Sequence, residues 1–285
     1  MPRTKNTRIF PQIIDIHPTA NCNLRCPICW GPDHCIKDGL TTNNWKNVID
    51  FFNKKGTESI VFTGGEPLIR NDIDILIKYA KLKGMKITLS TNTILLQRWA
   101  NKILPFIDEI GIPIDGSDYT KNKKTRLGTI NSFQSAVDSI HYLHKNYPRI
   151  KITVRTVISK INSDDILNIG AMLADFSDCF DRWKIYQFTP IGYGLLNKNM
   201  CYISTDEFQR ISSRILSSYK FNILIFTSEQ RIGRYIFVGS EGNIFGVDNK
   251  GSYKIIGNFI TSSKKVIEKG ITELLNVTRN SNHAR

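Results

Sequence analysis

The sequence predicts an α/β protein built on a parallel sheet, either open or closed into a barrel, followed by a smaller α/β segment after residue 194. Three observations predict it. Short strand-like apolar runs alternate six times with longer runs of helical spacing between residues 12 and 192, as in βα units joined by right-handed crossovers. The 285 residues, 41% hydrophobic and 22% charged, suffice for a large buried core of ordinary soluble composition. No apolar run reaches the length of a membrane span, and the basic start MPRTKNTRIFPQ lacks the apolar stretch of a secretory signal. A cytoplasmic protein with reduced thiols is therefore expected.

The elements follow in order. QIIDIHP (12–18) reads as a strand leading into a cysteine loop. NNWKNVIDFFNKKG (43–56) has helical spacing at Trp45, Val48, Ile49 and Phe52, with Gly56 as its stop. ESIVFTGGEP (58–67) is a buried strand ending in a glycine turn. DIDILIKYAKLKG (72–84) is a helix with Asp72 as cap and Gly84 as stop. MKITLSTN (85–92) is a strand, TILLQRWANKIL (93–104) a helix, and IDEIGIPID (107–115) a strand. A loop then carries the one dense basic cluster, KNKKTR (121–126). A helix over 132 to about 146, the strand RIKITVRTVIS (149–159), a helix over 164 to about 176 and the strand RWKIYQFTPIG (182–192) complete the repeats.

Beyond Gly194 the pattern changes. A helix over 204–220 has Ser204 and Glu207 spaced as a capping box. Short strands follow, with a hairpin turn at SEGNIF (240–245) whose Gly242 and Asn243 supply positive-φ positions. A last helix is expected over 262–275, then a polar, disordered tail.

The formal charge is +14, from 39 basic and 25 acidic residues. It suits anionic partners, such as nucleotides, nucleic acid or an acidic protein, and equally a lysine-rich surface with no such partner.

Cys22, Cys26 and Cys29, half of the chain's six cysteines, stand in NCNLRCPICW (21–30) with the spacing CxxxCxxC. Three thiolates suit a tetrahedral zinc with His34 or Cys35 as fourth ligand, or an iron–sulfur cluster held at three corners. Buried free cysteines behaving as small apolar residues are the bland alternative. Zinc ribbons carry two CxxC pairs, and here Cys179 and Cys201 stand far apart and alone. That count favours a cluster with three protein ligands and one iron open to another ligand.

The cysteine spacing after the first strand, with TGGEP (63–67) ending the second, resembles the radical S-adenosylmethionine (SAM) superfamily. The resemblance implies a partial (β/α)6 TIM-type barrel with a short C-terminal α/β extension. It implies an enzyme that cleaves SAM reductively at one [4Fe–4S] cluster and abstracts hydrogen from an organic substrate through a 5′-deoxyadenosyl radical. Cys22, Cys26 and Cys29 would be the cluster ligands. Gly64, Gly65, Glu66 and Pro67 would hold the methionine amino group, where glycines allow close backbone approach. Ser90 and Asn92 would be polar contacts to SAM, Asp115 and Ser117 ribose contacts, and Arg126 the partner of the SAM carboxylate. Ile28 and Trp30 would shield the cluster and pack near adenine.

The expected organisation is a basic arm (1–11), a radical SAM core (12–194), the extension (195–277) and the tail (278–285). Cys35 is expected not to ligate, and the absence of cysteine after Cys201 implies a single cluster. The family's chemistry implies an external electron donor such as a flavodoxin. For the substrate, the chain resembles both viperin-like nucleotide dehydratases, with Lys121, Lys123 and Lys124 as phosphate contacts, and peptide-modifying members that capture an extended chain on a sheet edge. Tyr186, Gln187 and Thr189 on the sixth strand would help to choose it, and no catalytic residue is assigned. A zinc-stabilised nucleic-acid binder is the reading from a different class, and it leaves the GGEP turn unexplained.

Overall fold

The computed structural model describes residues 10–231, 235–248 and 252–282, with side chains through Leu275. In chain order β1 is Ile13–Ile16, α1 Thr42–Lys54, β2 Ser59–Phe62, α2 Ile73–Leu82, β3 Lys86–Ser90, α3 Leu96–Ile103, β4 Glu109–Pro113 and α4 Tyr119–Thr125. Then come α5 Ser132–Asn146, β5 Lys151–Ile158, α6 Ile166–Ala174, β6 Arg182–Gln187, α7 Lys198–Cys201, α8 Thr205–Ser218 and β7 Ile223–Phe226. The chain ends with α9 Ser228–Arg231, β8 Ile236–Val238, β9 Asn243–Val247, β10 Tyr253–Asn258 and α10 Lys264–Asn282.

The ten strands form one sheet in the order β10-β9-β8-β1-β2-β3-β4-β5-β6-β7. β1 to β7 pair in parallel with their neighbours, and β8 adds in parallel to the other side of β1, Asp15 facing Phe237 and Ile16 facing Val238. The sheet is an open barrel rather than a closed one. The segment after residue 194 therefore does not stand apart from the six-stranded core. It supplies β7 beside β6 and the β8–β10 ribbon beside β1, within the same sheet.

Period-two alternation divides the faces. Ile14, Ile16, Ile60, Phe62, Ile87, Leu89, Ile110 and Ile112 are all 0% exposed and turn toward the helices. Trp45, Val48, Ile49 and Phe52 of α1 and Ile73, Leu76, Ile77 and Ala80 of α2 pack into the same core. Each such large side chain contributes about 1.5–3 kcal/mol of burial. The alternate residues face the barrel interior, and many of them are charged.

Several local expectations change. Asp72 stands at the N-cap of α2 as expected, but its side chain makes no capping hydrogen bond. Its carboxylate instead takes Arg70 Nε at 2.6 Å and the Thr42 hydroxyl, because a guanidinium two residues away outcompetes the helix amides. The basic cluster is the helix α4 rather than a loop, since Asp118 accepts from Lys121 N at 2.8 Å and caps it. Ser204 accepts from Glu207 N at 3.2 Å, one half of the expected box. In the β8–β9 turn Gly242 has φ +94°, whereas Asn243 already pairs in β9 and has no positive φ. The last helix continues to Asn282, so residues 278–282 of the expected tail are helical, and 283–285 lie outside the described residues. Residues 1–9 of the basic arm also lie outside them.

Because β7 and β8 cover both edges of the six-stranded core, a chain ended after Gly194 should not fold on its own. Expression of residues 1–194 is expected to give insoluble protein, or soluble protein without a cooperative thermal transition by circular dichroism. A sharp transition would show that the extension is separable.

Candidate functional site

The cysteine loop leaves the C-terminal end of β1, the side of a parallel barrel where βα loops converge. Asp38 gathers its start, accepting from Thr19 Oγ1 at 2.5 Å and from Ala20 N at 2.9 Å. Arg25 donates to the carbonyls of Cys22 and Leu24, and Cys29 N donates to Cys26 O, so the loop turns on itself. From outside, Gly194 N donates to Cys29 O at 2.7 Å and buried Cys201 lies on Pro27 O.

Cys22, Cys26 and Cys29 line one cavity of about 820 Å³ inside the barrel mouth. Cys22 Sγ accepts from Leu24 N at 3.4 Å, Cys29 Sγ from Gly31 N at 3.2 Å, and Cys26 Sγ faces Arg126 at 4.0 Å. Burial pushes the Cys22 thiol up to about 11 and the Cys26 thiol to about 12. Burial thus favours the neutral thiols, and a bound metal would favour the thiolates. Among the described residues the three sulfurs do not form a set within 4.8 Å of one another. A single tetrahedral zinc would need them drawn to roughly 3.8 Å apart. The proposed fourth zinc ligands do not line the cavity either. His34 packs on the Tyr193 ring and Cys35 is exposed.

The glycine turn lies against this loop. Gly64 has φ +107°, and a Cβ there would stand 2.8 Å from Thr19 O. At Gly65 it would stand 2.1 Å from Asn21 O. The missing side chains let Gly65 N bond Thr19 O at 3.0 Å and Glu66 N bond Asn21 O at 2.8 Å. Glu66, 1% exposed, accepts from Leu68 N, Thr91 Oγ1 and Asn92 N at 3.1, 2.7 and 2.7 Å and lines the cavity. Burial pushes its carboxyl up to about 7. Pro67 opens the 3-10 turn Pro67–Ile69 and does not line the cavity.

Ser90 and Asn92 line the cavity as well. Asn92 Nδ2 donates to Asn23 Oδ1 at 2.6 Å and lies 3.9 Å from Cys22 Sγ. The next residue, Thr93, holds the left-handed φ of 69°, costly for a β-branched side chain. Arg126 lines the cavity, held by Asp115 Oδ2 at 2.6 Å. Burial is the largest influence and opposes its charge, but the Asp115 carboxylate and the nearby Cys26 and Cys29 together outweigh it and raise the pKa. Asp115 and Ser117 do not line the cavity. Asp115 is fully buried between Arg126 and Val157 N, and Ser117 is bound to Asp165 through both N and Oγ. In this arrangement they position Arg126 and the loop after β4. Tyr186 on β6 and Thr189 just after it line the cavity, whereas the Gln187 side chain ties Ile203 O to Ser228 N. Lys121, Lys123 and Lys124 lie on α4 away from the cavity, and Lys121 pairs with Asp164 at 3.7 Å.

The inner wall holds groups that the motifs did not indicate. Asp15, His17, Arg155, Lys184 and Arg231 all line the cavity. A Cβ at Gly111 would stand 2.2 Å from Arg155 Cζ, so glycine lets the guanidinium lie across β4 to reach Ser90 Oγ at 2.9 Å. Arg231 comes from α9 and is gripped between the rings of Trp30 and Tyr186, at 3.7 and 4.6 Å from their centroids. The Nε of each arginine is buried with no hydrogen-bond partner. Burial pushes Asp15 up to about 7, against the opposing pull of Arg155 and Arg231, and lowers His17 to about 4. A charge in the middle of a strand between two buried isoleucines was the available signal for Asp15, and Arg155 in KITVRTVI, between buried Val154 and Thr156, carried a similar one. Nothing in the sequence marked Arg231.

The raised Asp15 value fixes a sign. Its contribution to stability is full below about pH 4, the ordinary carboxylate range, and is lost as pH rises through about 7. The Tm of the wild-type protein is expected to fall between pH 5 and 8, and Asp15→Asn should flatten part of that fall. Parallel Tm profiles for the two proteins would refute the assignment.

Comparison with known proteins places this geometry. The family model described as "Radical SAM superfamily" matches residues 16–173. An S-adenosylmethionine-dependent nucleotide dehydratase of Selenomonas ruminantium is 27% identical over 262 residues, covering 87% of this chain and 90% of that protein. An AdoMet-dependent heme synthase of Nitratidesulfovibrio vulgaris is 28% identical over 178 residues, covering 61% of this chain and 47% of that protein. Among solved structures, SuiB of Streptococcus suis bound to the precursor peptide SuiA superposes with a TM-score of 0.67 at 16% identity, covering 82% of this chain and 59% of that one.

Proposed function

The chain belongs to the radical SAM superfamily, whose members use SAM and an iron–sulfur cluster, and we propose that it is a nucleotide dehydratase. Cys22, Cys26 and Cys29 would hold one [4Fe–4S] cluster. When bound, the cluster supplies the electron that cleaves SAM and yields a hydrogen-abstracting radical. Glu66, with Ser90, Asn92 and Arg126, lines the space that SAM would fill. Glu66 would attract its ammonium and Arg126 its carboxylate.

One observation carries the choice of substrate. Arg155 and Arg231 face the same cavity, and each keeps a buried Nε without a partner. An unpaired buried donor is costly, and a phosphate oxygen would satisfy both. Lys184, which also lines the cavity, adds a third cation. Asp15 can hold or release a proton near neutrality, as removal of water from a nucleotide requires. The dehydratase relative, similar over most of both chains, supports the same reading. The peptide reading has weaker support, because solved structures at this level of identity share only the fold. Family membership and the spread of the thiols displace the zinc-stabilised nucleic-acid binder.

All six cysteines are unpaired, which suits a reducing, cytoplasmic setting. Among the described residues no helix is long and apolar enough to cross a membrane. The +14 charge suits an acidic electron donor such as a flavodoxin.

The test is anaerobic. Protein reconstituted with iron and sulfide is given SAM, dithionite and each nucleoside triphosphate in turn, and 5′-deoxyadenosine is measured. One triphosphate should stimulate its release and lose water. Arg155→Ala and Arg231→Ala should each cost about tenfold in that stimulation, the worth of one charge-assisted hydrogen bond, while keeping their iron. Cys26→Ala should lose both iron and activity. Release that no nucleotide stimulates would overturn the substrate and leave the family chemistry standing.

A further inference from the structure

A second group of metal-binding side chains lies at the other end of the strands from the cysteine loop. Near its C-terminus α5 carries His141 and His144, three residues apart and so on one face. The chain returns through α6 and the 3-10 turn Ser177–Cys179, just before β6, and sets Asp178 and Cys179 against that face. A ring nitrogen of His144, a carboxylate oxygen of Asp178 and the Sγ of Cys179 all lie within 4.8 Å of one another. His141 Nδ1 lies 3.6 Å from Cys179 Sγ, with its ring packed on Phe176. Cys179 Sγ lies 3.6 Å from Asp178 Oδ1.

We propose that His144, Asp178 and Cys179, with His141 as fourth ligand, form a binding site for a zinc-class divalent cation, independent of the iron–sulfur cluster. The donors are one thiol, two imidazoles and one carboxylate. That set matches a borderline-soft, tetrahedral ion and suits neither calcium nor magnesium. The spacing of three donors also matches: small rotations of exposed His144 and Asp178 about buried Cys179 close that group to ligand–ligand edges of roughly 3.5–4 Å, and His141, 3.6 Å from Cys179 Sγ, would turn in to complete it. These four residues alone do not bring an open position to the barrel cavity, and none of them lines it. The ion would instead brace the end of α5 against the connection into β6. Binding only the folded chain, it would raise stability.

The measurement is zinc and iron content of the reconstituted holoenzyme after exchange into zinc and gel filtration, with zinc-edge X-ray absorption. The expected result is one zinc beyond the cluster iron, with a single sulfur neighbour and nitrogen or oxygen otherwise. His144→Ala, at an exposed position, and Cys179→Ser should each lose that zinc and its rise in Tm while keeping cluster iron and 5′-deoxyadenosine formation. A wild-type protein that retains no zinc overturns the proposal. So does zinc that persists in His144→Ala, and so does a three-sulfur neighbourhood, which would place the ion on Cys22, Cys26 and Cys29.

Discussion

The site depends on backbone lying on backbone. The turn after β2 and the loop after β1 approach so closely that a single Cβ on Gly64 or Gly65 would overlap the carbonyls of Thr19 and Asn21. That approach forms the amide bonds from Gly65 and Glu66 to the start of the cysteine loop. It also seats the Glu66 carboxylate in the wall of the cavity that the thiols line, where amides from two loops hold it. Side chains at either glycine would separate the loops by the width of a methyl group. The three thiols would then lose the wall that orients them.

The barrel interior shows the opposite economy. The face turned to the helices is close-packed and apolar, whereas the inner face carries Asp15, Glu109, Arg155, Lys184 and Arg231 around an open cavity. Some of these charges are satisfied within the protein: Lys184 lies 3.7 Å from Glu109, and Glu109 accepts from Thr153. The two arginines are satisfied only in part. Aromatic faces and a serine hydroxyl position them, and neither Nε has an acceptor. A cavity built this way offers two buried donors to an anion.

The C-terminal segment matters because it completes that cavity. β8 adds Phe237 beside Asp15, and α9 sends Arg231 back over Trp30, the residue after the third loop cysteine. The 3-10 turn Gly192–Asn197 covers Cys29 from outside. Core and extension thus share one sheet and one cavity.

The sequence by itself determined the alternation of strands and helices, the cysteine and glycine motifs, and from them the family and the open barrel. Those features are local: period-two and helical spacing, helix stops at glycine, and ligands only a few residues apart. Only the tertiary structure decided which flagged polar residues face the cavity. Asp115 and Ser117 lie near it in sequence but turn into supporting bonds, because buried polar groups must find partners and theirs lie within the protein. Arg155 and Arg231 are 76 positions apart in the numbering, and Arg231 is brought to the site by a strand pairing rather than by any neighbour in the chain. The same holds for His144 and Cys179, which meet because a crossover helix returns to its own sheet. Long-range pairing sets such encounters, and no short window of sequence records it.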